Sequence, residues 1–490
     1  MMPDLINQQT LFDQHFSADN LKDYLATVTR KLKHQYAGNS AMEAKKPHQH
    51  LGIAESELDD YLATISKKCH AKSFRFSPYH EKLMLKGKGK LPRAISVPCV
   101  RDKIVLRQIT ECLQSLYPTS AHTPRGSLYV KRIVEVLSQA SDETLWVYRG
   151  DIQKFYDEIP RDQLLAQLSE TIQVPELMAL INHAMQTPTV PKRTQRKDYA
   201  HYKTTKGVPQ GLSFSGLLAN VFLQPVDQAV QQVPGIEYFR FVDDILILGS
   251  EQQVKAARDV LEAELSQRQL KLHTQGTDKE HLNRADQPFA YLGYTVAPDL
   301  ISVRASSVER VRLRITSFFS DYRKALKEID PEIREQLDSV FIEQFNIMIT
   351  GAKQGNKNYG WLFYYRYITD HNLLHQLDHL VRQLLKRHHF TDEQIEQVKK
   401  FSRAWFEINY QPNSNYIHRY DELLKFDFDE EEKPKSKAVT QNQVIAKEVD
   451  AVETPQKTIT ESEKEGDIHH LIELLRLKAK QNLIEDGYST

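Results

Sequence analysis

Hydrophobic positions along this chain change period several times, and each change predicts a different texture. Through residue 70, apolar residues recur at helical spacing, as in ADNLKDYLATVTRKLKHQY and AESELDDYLATISKKC, which predicts a helical N-terminal region over 1–71. From Lys72 the pattern shifts to short β-prone runs, basic clusters and turns. Helix returns in DKIVLRQITECLQSLY and SLYVKRIVEVLSQ, a strand follows in TLWVYRGDI, and another helix runs from Pro160 to Thr171. Between Gly207 and Gly293 the spacing predicts a helix starting near Ser215, a hairpin around FVDD, a helix from Gln252 to Gln269 and a strand FAYLGYTV. Strands and helices mix without a βαβ rhythm, so 72–300 is expected to be an α+β domain with an antiparallel sheet.

Beyond Ser306 the pattern is helical to Phe426, which defines a C-terminal domain over 301–426. Residues 427–465 are rich in Lys, Glu, Thr and Gln, the composition of a flexible linker. The terminal stretch 466–490 predicts an amphipathic helix with Ile468, Leu471, Ile472 and Leu475 on one face, expected to dock by packing.

Composition narrows the class. The 490 residues exceed what one core organises, and 40% hydrophobic with 27% charged residues is the balance of a soluble globular protein. No apolar run approaches the ~20 residues that span a bilayer, and MMPDLINQQT lacks a signal-peptide core. A cytoplasmic protein with no membrane contact is expected. The three cysteines exclude a disulfide framework, and the histidine pairs His48/His50, His388/His389 and His469/His470 lack the complementary ligands of a zinc site. Zero net charge does not advertise nucleic-acid binding, yet from Asp427 onward acids exceed bases by about six, which leaves the preceding chain basic.

Candidate chemistry concentrates at Asp243 and Asp244, set between the apolar, β-prone runs of EYFRFVDDILILG. Carboxylates beside so much hydrophobic surface call for a cation, and hard oxygen ligands suit Mg²⁺. Taken alone, a hairpin whose aspartates face water fits the pair equally well. A third carboxylate, Asp151, ends the strand of WVYRGDIQKFYDEIP. Two-metal phosphoryl transfer needs cations ~3.5–4 Å apart, hence carboxylates converging from separate strands. Between them, Gly207, Pro209 and Gly211 form a compact turn in KGVPQGLSFSGLLANVFL. Small residues Ser213, Ser215, Gly216 and Ala219 then open a helix to close approach.

In order and spacing, GDIQKFYDEI, VPQGLSFSGLLAN, FVDD and FAYLGY resemble the palm motifs of reverse transcriptases, the bacterial ones in particular. KGKGKLPRAISVPCVRDKIVLRQI resembles their fingers, and HTPRGSLYVKRIVEVL the segment that follows. The resemblance spans roughly 72–300. It implies a right-hand fingers–palm architecture followed by a mostly helical thumb or C-terminal domain. It implies that Asp151 and Asp243, with the Ile152 carbonyl, hold two Mg²⁺ ions, with Mn²⁺ as a substitute, and that Asp244 lies beside them. Tyr156 takes the place of an aromatic gate against a ribose 2′-OH, and Gln210 that of a glutamine beside the incoming dNTP. Arg93, with one of Lys86, Lys88 or Lys90, matches the triphosphate grip, a sensible use of a forked and a point-charge donor. Lys279 sits where a lysine near the leaving pyrophosphate is expected. Phe289, Leu292 and Gly293 match the primer-grip hairpin. Two positions depart from the pattern: Ser215-Gly216 stands for Ser-Pro, and Phe241 for Tyr.

No segment resembles an integrase, protease, ribonuclease H or zinc-bearing endonuclease. Ile349-Thr350-Gly351 only echoes a thumb motif of retron enzymes. The architecture resembles defence-associated and abortive-infection reverse transcriptases. That implies RNA-directed DNA synthesis in antiphage defence, with a dedicated noncoding RNA and a DNA product, and a homo-oligomer or companion defence protein as partner. Template-independent, protein-primed synthesis, a group II intron- or retron-type enzyme, and an RNA-binding scaffold with an inactive palm are the alternatives. In the helical region, Arg304, Arg310, Arg312 and Arg314 form a basic run in which Arg310 and Arg314 share a face suited to primer–template phosphates. Trp361, Tyr364, Tyr365 and Tyr367 suit either base stacking or, more commonly, core packing.

Overall fold

The computed structural model describes residues 5–35, 46–84, 91–121, 126–139, 145–273, 280–326, 334–355 and 357–419. Lys86, Lys88, Lys90, Lys279, the linker 427–465 and the terminal helix 466–490 lie outside them. The chain forms two units, Met1–Ile301 and Ser302–Thr490.

In the first unit, β1 (Tyr79–Met84) and β2 (Arg93–Val97) make an antiparallel hairpin. Next come β3 (Trp146–Asp151) and β4 (Thr189–Val190), the latter parallel to β1. Then β5 (Glu237–Phe241), β6 (Asp244–Gly249) and β7 (His281–Arg284) complete a sheet of order β5-β6-β3-β7, antiparallel throughout. A further hairpin, β8 (Phe289–Tyr291) and β9 (Tyr294–Val296), follows, and β10 (Ile301–Val303) carries the chain out of the unit.

The antiparallel sheet expected from the sequence is therefore present, and its hydrophobic pattern explains its order. Ile245 to Leu248 are all essentially inaccessible, so β6 is covered on both faces, as an unbroken apolar run of strand length requires. Helices Ser215–Gln231 and Glu251–Gln267 pack against the sheet. In the second, Val254, Ala257, Leu261 and Leu265 recur every three or four residues and are all buried. Ser250 caps it: its Oγ accepts from the Gln253 amide while Gln253 Oε1 accepts from the Ser250 amide.

The N-terminal helices Leu5–His15, Ala18–Gln35 and Leu58–His70 share this core. Phe12, Phe16, Leu21, Leu25, Leu62 and Ile65 cluster with the sheet and helix residues, and Gln8 Nε2 donates to the Thr171 carbonyl at 3.0 Å. The described helices of this N-terminal region are thus a layer of the first unit.

The second unit is built on helices Ala305–Ala325, Arg334–Thr350, His371–Arg387 and Phe401–Tyr410 around an aromatic core in which Phe341 stacks on Phe345. The helical expectation for 301–426 missed a small sheet. In it β11 (Ala352–Gln354) runs between β12 (Lys357–Tyr359) and β13 (His418–Arg419). Gly351, at φ 69°, ends the preceding helix, and strands of two or three residues are too short to register as a period. Trp361, Tyr364 and Tyr365 are buried, so packing accounts for them.

Candidate active site

Sheet register brings the three aspartates to one place. Asp151 is the last residue of β3 and Asp244 the first of β6, and they are directly paired across the two strands. Phe241 pairs with Asp244 across β5 and β6, which leaves Val242 and Asp243 as a two-residue turn at the sheet's end. The Ile152 amide donates to the Asp243 carbonyl at 3.2 Å and ties the segment after β3 to this turn.

The turn is backbone-strained. Val242 has φ 61°, a left-handed conformation costly for a β-branched side chain. Arg240 holds it in place. This arginine forks onto Asp227 at 2.6 and 2.5 Å, and its Nη1 donates to the Val242 carbonyl at 3.0 Å and to Asn220 Oδ1 at 3.1 Å. Sequence reasoning missed Arg240. The signal was there, since an arginine two residues before the turn interrupts an aromatic strand.

The carboxylates differ in environment. Asp244 is mostly buried and accepts from Arg149 Nε at 3.3 Å, while its main-chain carbonyl accepts from Tyr291 Oη at 3.3 Å. Burial pushes the Asp244 carboxyl up to about 6; Asp243 and Asp151 add to the rise and Arg149 opposes it. Asp151 Oδ1 lies 3.2 Å from His273 Nε2, and the His273 amide donates to the Asp151 carbonyl at 3.0 Å. Arg149 and His273 were also missed. Arg149 lies two residues before Asp151 on β3, and so on its face, whereas His273 carried no local signal.

Behind the aspartates, the helix after β3 and the Gly207–Gly211 loop lock together. The Val208 amide donates to the Tyr156 carbonyl at 2.7 Å, and Arg161 Nε to the Gly207 carbonyl at 2.7 Å. Gly207 has φ 86°, and a Cβ there would meet the Asp157 carbonyl at 2.8 Å, so only glycine fits. Gln210 Nε2 donates to Asp157 Oδ1 at 3.1 Å, and its carbonyl accepts from the Ser96 amide on β2 at 2.7 Å. Tyr156 is half-buried; burial pushes its hydroxyl up, with the charge of Asp243 adding and that of Arg93 opposing. A Cβ on Gly216 would lie 3.8 Å from Tyr156 Oη, an ordinary contact distance, so the tyrosine hydroxyl sits close beside this helix.

Asp151, Asp243, Asp244, Ile152, Tyr156, Gln210 and the exposed Arg93 thus gather around one end of the sheet. Phe289 and Leu292 are buried, and Leu292 and Gly293 form the β8–β9 turn with φ 48° and 83°. Arg310 and Arg314 belong to the second unit, where Arg310 donates to Ser307 Oγ at 2.8 Å. The carboxylate oxygens are hard donors of the kind that hold Mg²⁺ or Mn²⁺. Among the described residues no three His, Cys, Asp or Glu side chains are gathered as a metal-ligand group; Asp151 and Asp244 instead contact His273 and Arg149.

A strained turn presenting paired carboxylates at the end of an antiparallel sheet is the arrangement expected of a nucleotidyl-transfer palm. This chain matches, over residues 85–296, the family described as reverse transcriptase (RNA-dependent DNA polymerase). It is 24% identical over 227 residues to the putative COX1/OXI3 intron 2 protein of Saccharomyces cerevisiae, covering 45% of this chain and 26% of that one. Protein YkfC of Escherichia coli is 25% identical over 257 residues, covering 43% and 64%. The group II intron-encoded protein LtrA of Lactococcus lactis subsp. cremoris is 24% identical over 228 residues, covering 44% and 37%. The chain therefore spans between about a quarter and two thirds of the length of these relatives.

Proposed function

We propose that this chain is an RNA-directed DNA polymerase, and that it serves antiphage defence in the cytoplasm by copying a dedicated noncoding RNA into DNA. The observation that carries the polymerase reading is the direct pairing of Asp151 with Asp244 beside a strained turn that holds Asp243. Asp151, Asp243 and the Ile152 carbonyl are the residues to hold two Mg²⁺ ions, with Asp244 adjacent. When bound, such ions activate a primer hydroxyl and neutralise the leaving pyrophosphate.

The chain's own residues do the positioning. Tyr156, wedged behind the Gly207–Gly211 loop, stands where a ribose 2′-OH would clash, which favours dNTPs. Gln210 flanks the nucleotide and Arg93 meets its triphosphate, joined by Lys86 or Lys88. Phe289, Leu292 and Gly293 support the primer, and Arg310 and Arg314 meet backbone phosphates. The defence role rests on the resemblance of the palm motifs, and of the helical region that follows them, to defence-associated reverse transcriptases. A group II intron-type role is the second reading, favoured by the intron-encoded relatives.

Purified protein with its co-purifying RNA, Mg²⁺ and labelled dNTPs tests this. The expected product is DNA complementary to that RNA. A homopolymer would support untemplated synthesis, and no product from intact protein would support a scaffold.

A further inference from the structure

The small sheet of the second unit carries a cationic row that nothing in the polymerase reading uses. In its register Lys353 of β11 stands beside Asn358 of β12 on one side and Arg419 of β13 on the other. Residues paired across strands share a face, with neighbouring strands ~4.8 Å apart. An amide, an ammonium and a guanidinium therefore line up across three strands. The next row, Tyr359, Ala352 and His418, takes the opposite face, where Ala352 is fully buried. Arg366 adds a third cation; its charge and that of Arg419 act on Lys353, whose ammonium is held below its ordinary range, by partial burial first.

Like charges placed directly opposite across strands destabilise a sheet. Among the described residues no carboxylate pairs with Lys353, Arg366 or Arg419. Lys353 Nζ donates to the Pro412 carbonyl, and Arg366 Nη2 reaches the Ile408 carbonyl at 3.4 Å. These carbonyls at the end of helix Phe401–Tyr410 supply only partial negative charge. The Arg419 Nε is buried with no hydrogen-bond partner among the described residues, so a donor remains unsatisfied. Aromatic faces flank the row, Phe363 under Lys353 and Tyr367 under Arg366.

We propose that Lys353, Arg366 and Arg419 form a phosphate-binding site for the backbone of a single-stranded RNA, separate from the catalytic end of the palm sheet. Two cations and an amide across three strands, with Arg366 beside them, suit successive backbone phosphates, and the half-buried Tyr367 ring beside Arg366 offers stacking surface.

Fluorescence anisotropy with a 5′-labelled single-stranded RNA across a salt series tests it. The full chain would carry Asp243→Asn throughout, so the outcome does not depend on synthesis. Adding Lys353→Gln and Arg419→Gln should flatten the slope of log affinity against log salt by about 1.4, since each lost single-strand phosphate contact removes ~0.7. The melting temperature should hold or rise as the like-charge repulsion is relieved. Should the double variant fail to fold, Arg419→Gln alone should flatten the slope by about half as much. An unchanged slope in a folded variant overturns the proposal. So does a variant that loses inorganic phosphate binding while holding RNA as wild type does, because the site would then serve small anions.

Discussion

Two turns of the first unit have the same length and opposite characters. Val242-Asp243 joins β5 to β6, and Leu292-Gly293 joins β8 to β9; each is a two-residue loop whose first residue has positive φ. At Leu292-Gly293 a glycine takes the second left-handed position, and Tyr291 and Tyr294 bury the flanks. The glycine suits its position, and burial of Leu292 offsets the left-handed cost at the first. At Val242-Asp243 a β-branched residue takes the left-handed position, carboxylates flank it, and an arginine reaches back from β5 to hold its carbonyl. The contrast is between a turn closed by glycine and one whose left-handed valine is held by an arginine brace, and on the proposed polymerase reading that brace presents Asp243.

The largest effect expected from breaking this contrast is catalytic. Asp243→Asn should lower dNTP incorporation by about 10³-fold or more, the scale of several kcal/mol of lost charge stabilisation. Asp244→Asn should cost less, because Arg149 already engages that carboxylate; equal losses would place the two residues on the same footing. Next is the brace. Arg240→Met leaves the partly buried Asp227 with only the Tyr238 hydroxyl as partner and should lower unfolding free energy by about 2–3 kcal/mol in urea titration. A loss under ~1 kcal/mol would mean the turn supports itself.

The third expectation concerns pH. The Asp244 carboxyl titrates near 6 in the folded protein against an ordinary 3.8. The native state therefore holds its proton longer than the unfolded chain does, so this residue's stabilisation is complete below about pH 4 and is lost as pH rises through 6. A tenfold difference in proton affinity between the folded and unfolded chain corresponds to ~1.4 kcal/mol, so the span is on the order of 1–3 kcal/mol. Asp244→Asn should flatten that part of the stability–pH curve; an unaltered slope would assign it to other groups. The smallest effect compares the turns directly. Val242→Gly should leave stability within ~1 kcal/mol of wild type, because relief of the left-handed valine offsets lost burial. Leu292→Gly should cost about 1–2 kcal/mol, because the lost burial of Leu292 exceeds the relief of its own left-handed backbone.

Much of this was legible in the sequence where period and motif coincide. Unbroken apolar runs announced β3 and β6, and the spacing of Val254, Ala257, Leu261 and Leu265 announced the helix behind them. Order along the chain brought Asp151, Asp243 and Tyr156 into one proposal before any sheet existed. What stayed hidden depends on pairing across long separations. Arg149 meets Asp244 because β3 pairs with β6, and His273 meets Asp151 because Leu272 bridges to Ile152 just past β3. The Lys353–Arg419 row joins positions far apart in the chain through strands too short to leave a periodic trace.

Primer extension along an RNA of defined sequence tests the central claim most directly. The purified chain should extend an annealed primer with dNTPs into DNA complementary to the RNA and end at the template's 5′ terminus, and Asp243→Asn should abolish that product. Extension undiminished in the variant, or a product unrelated to the template, would contradict the assignment of the Val242-Asp243 turn as the centre of an RNA-copying polymerase.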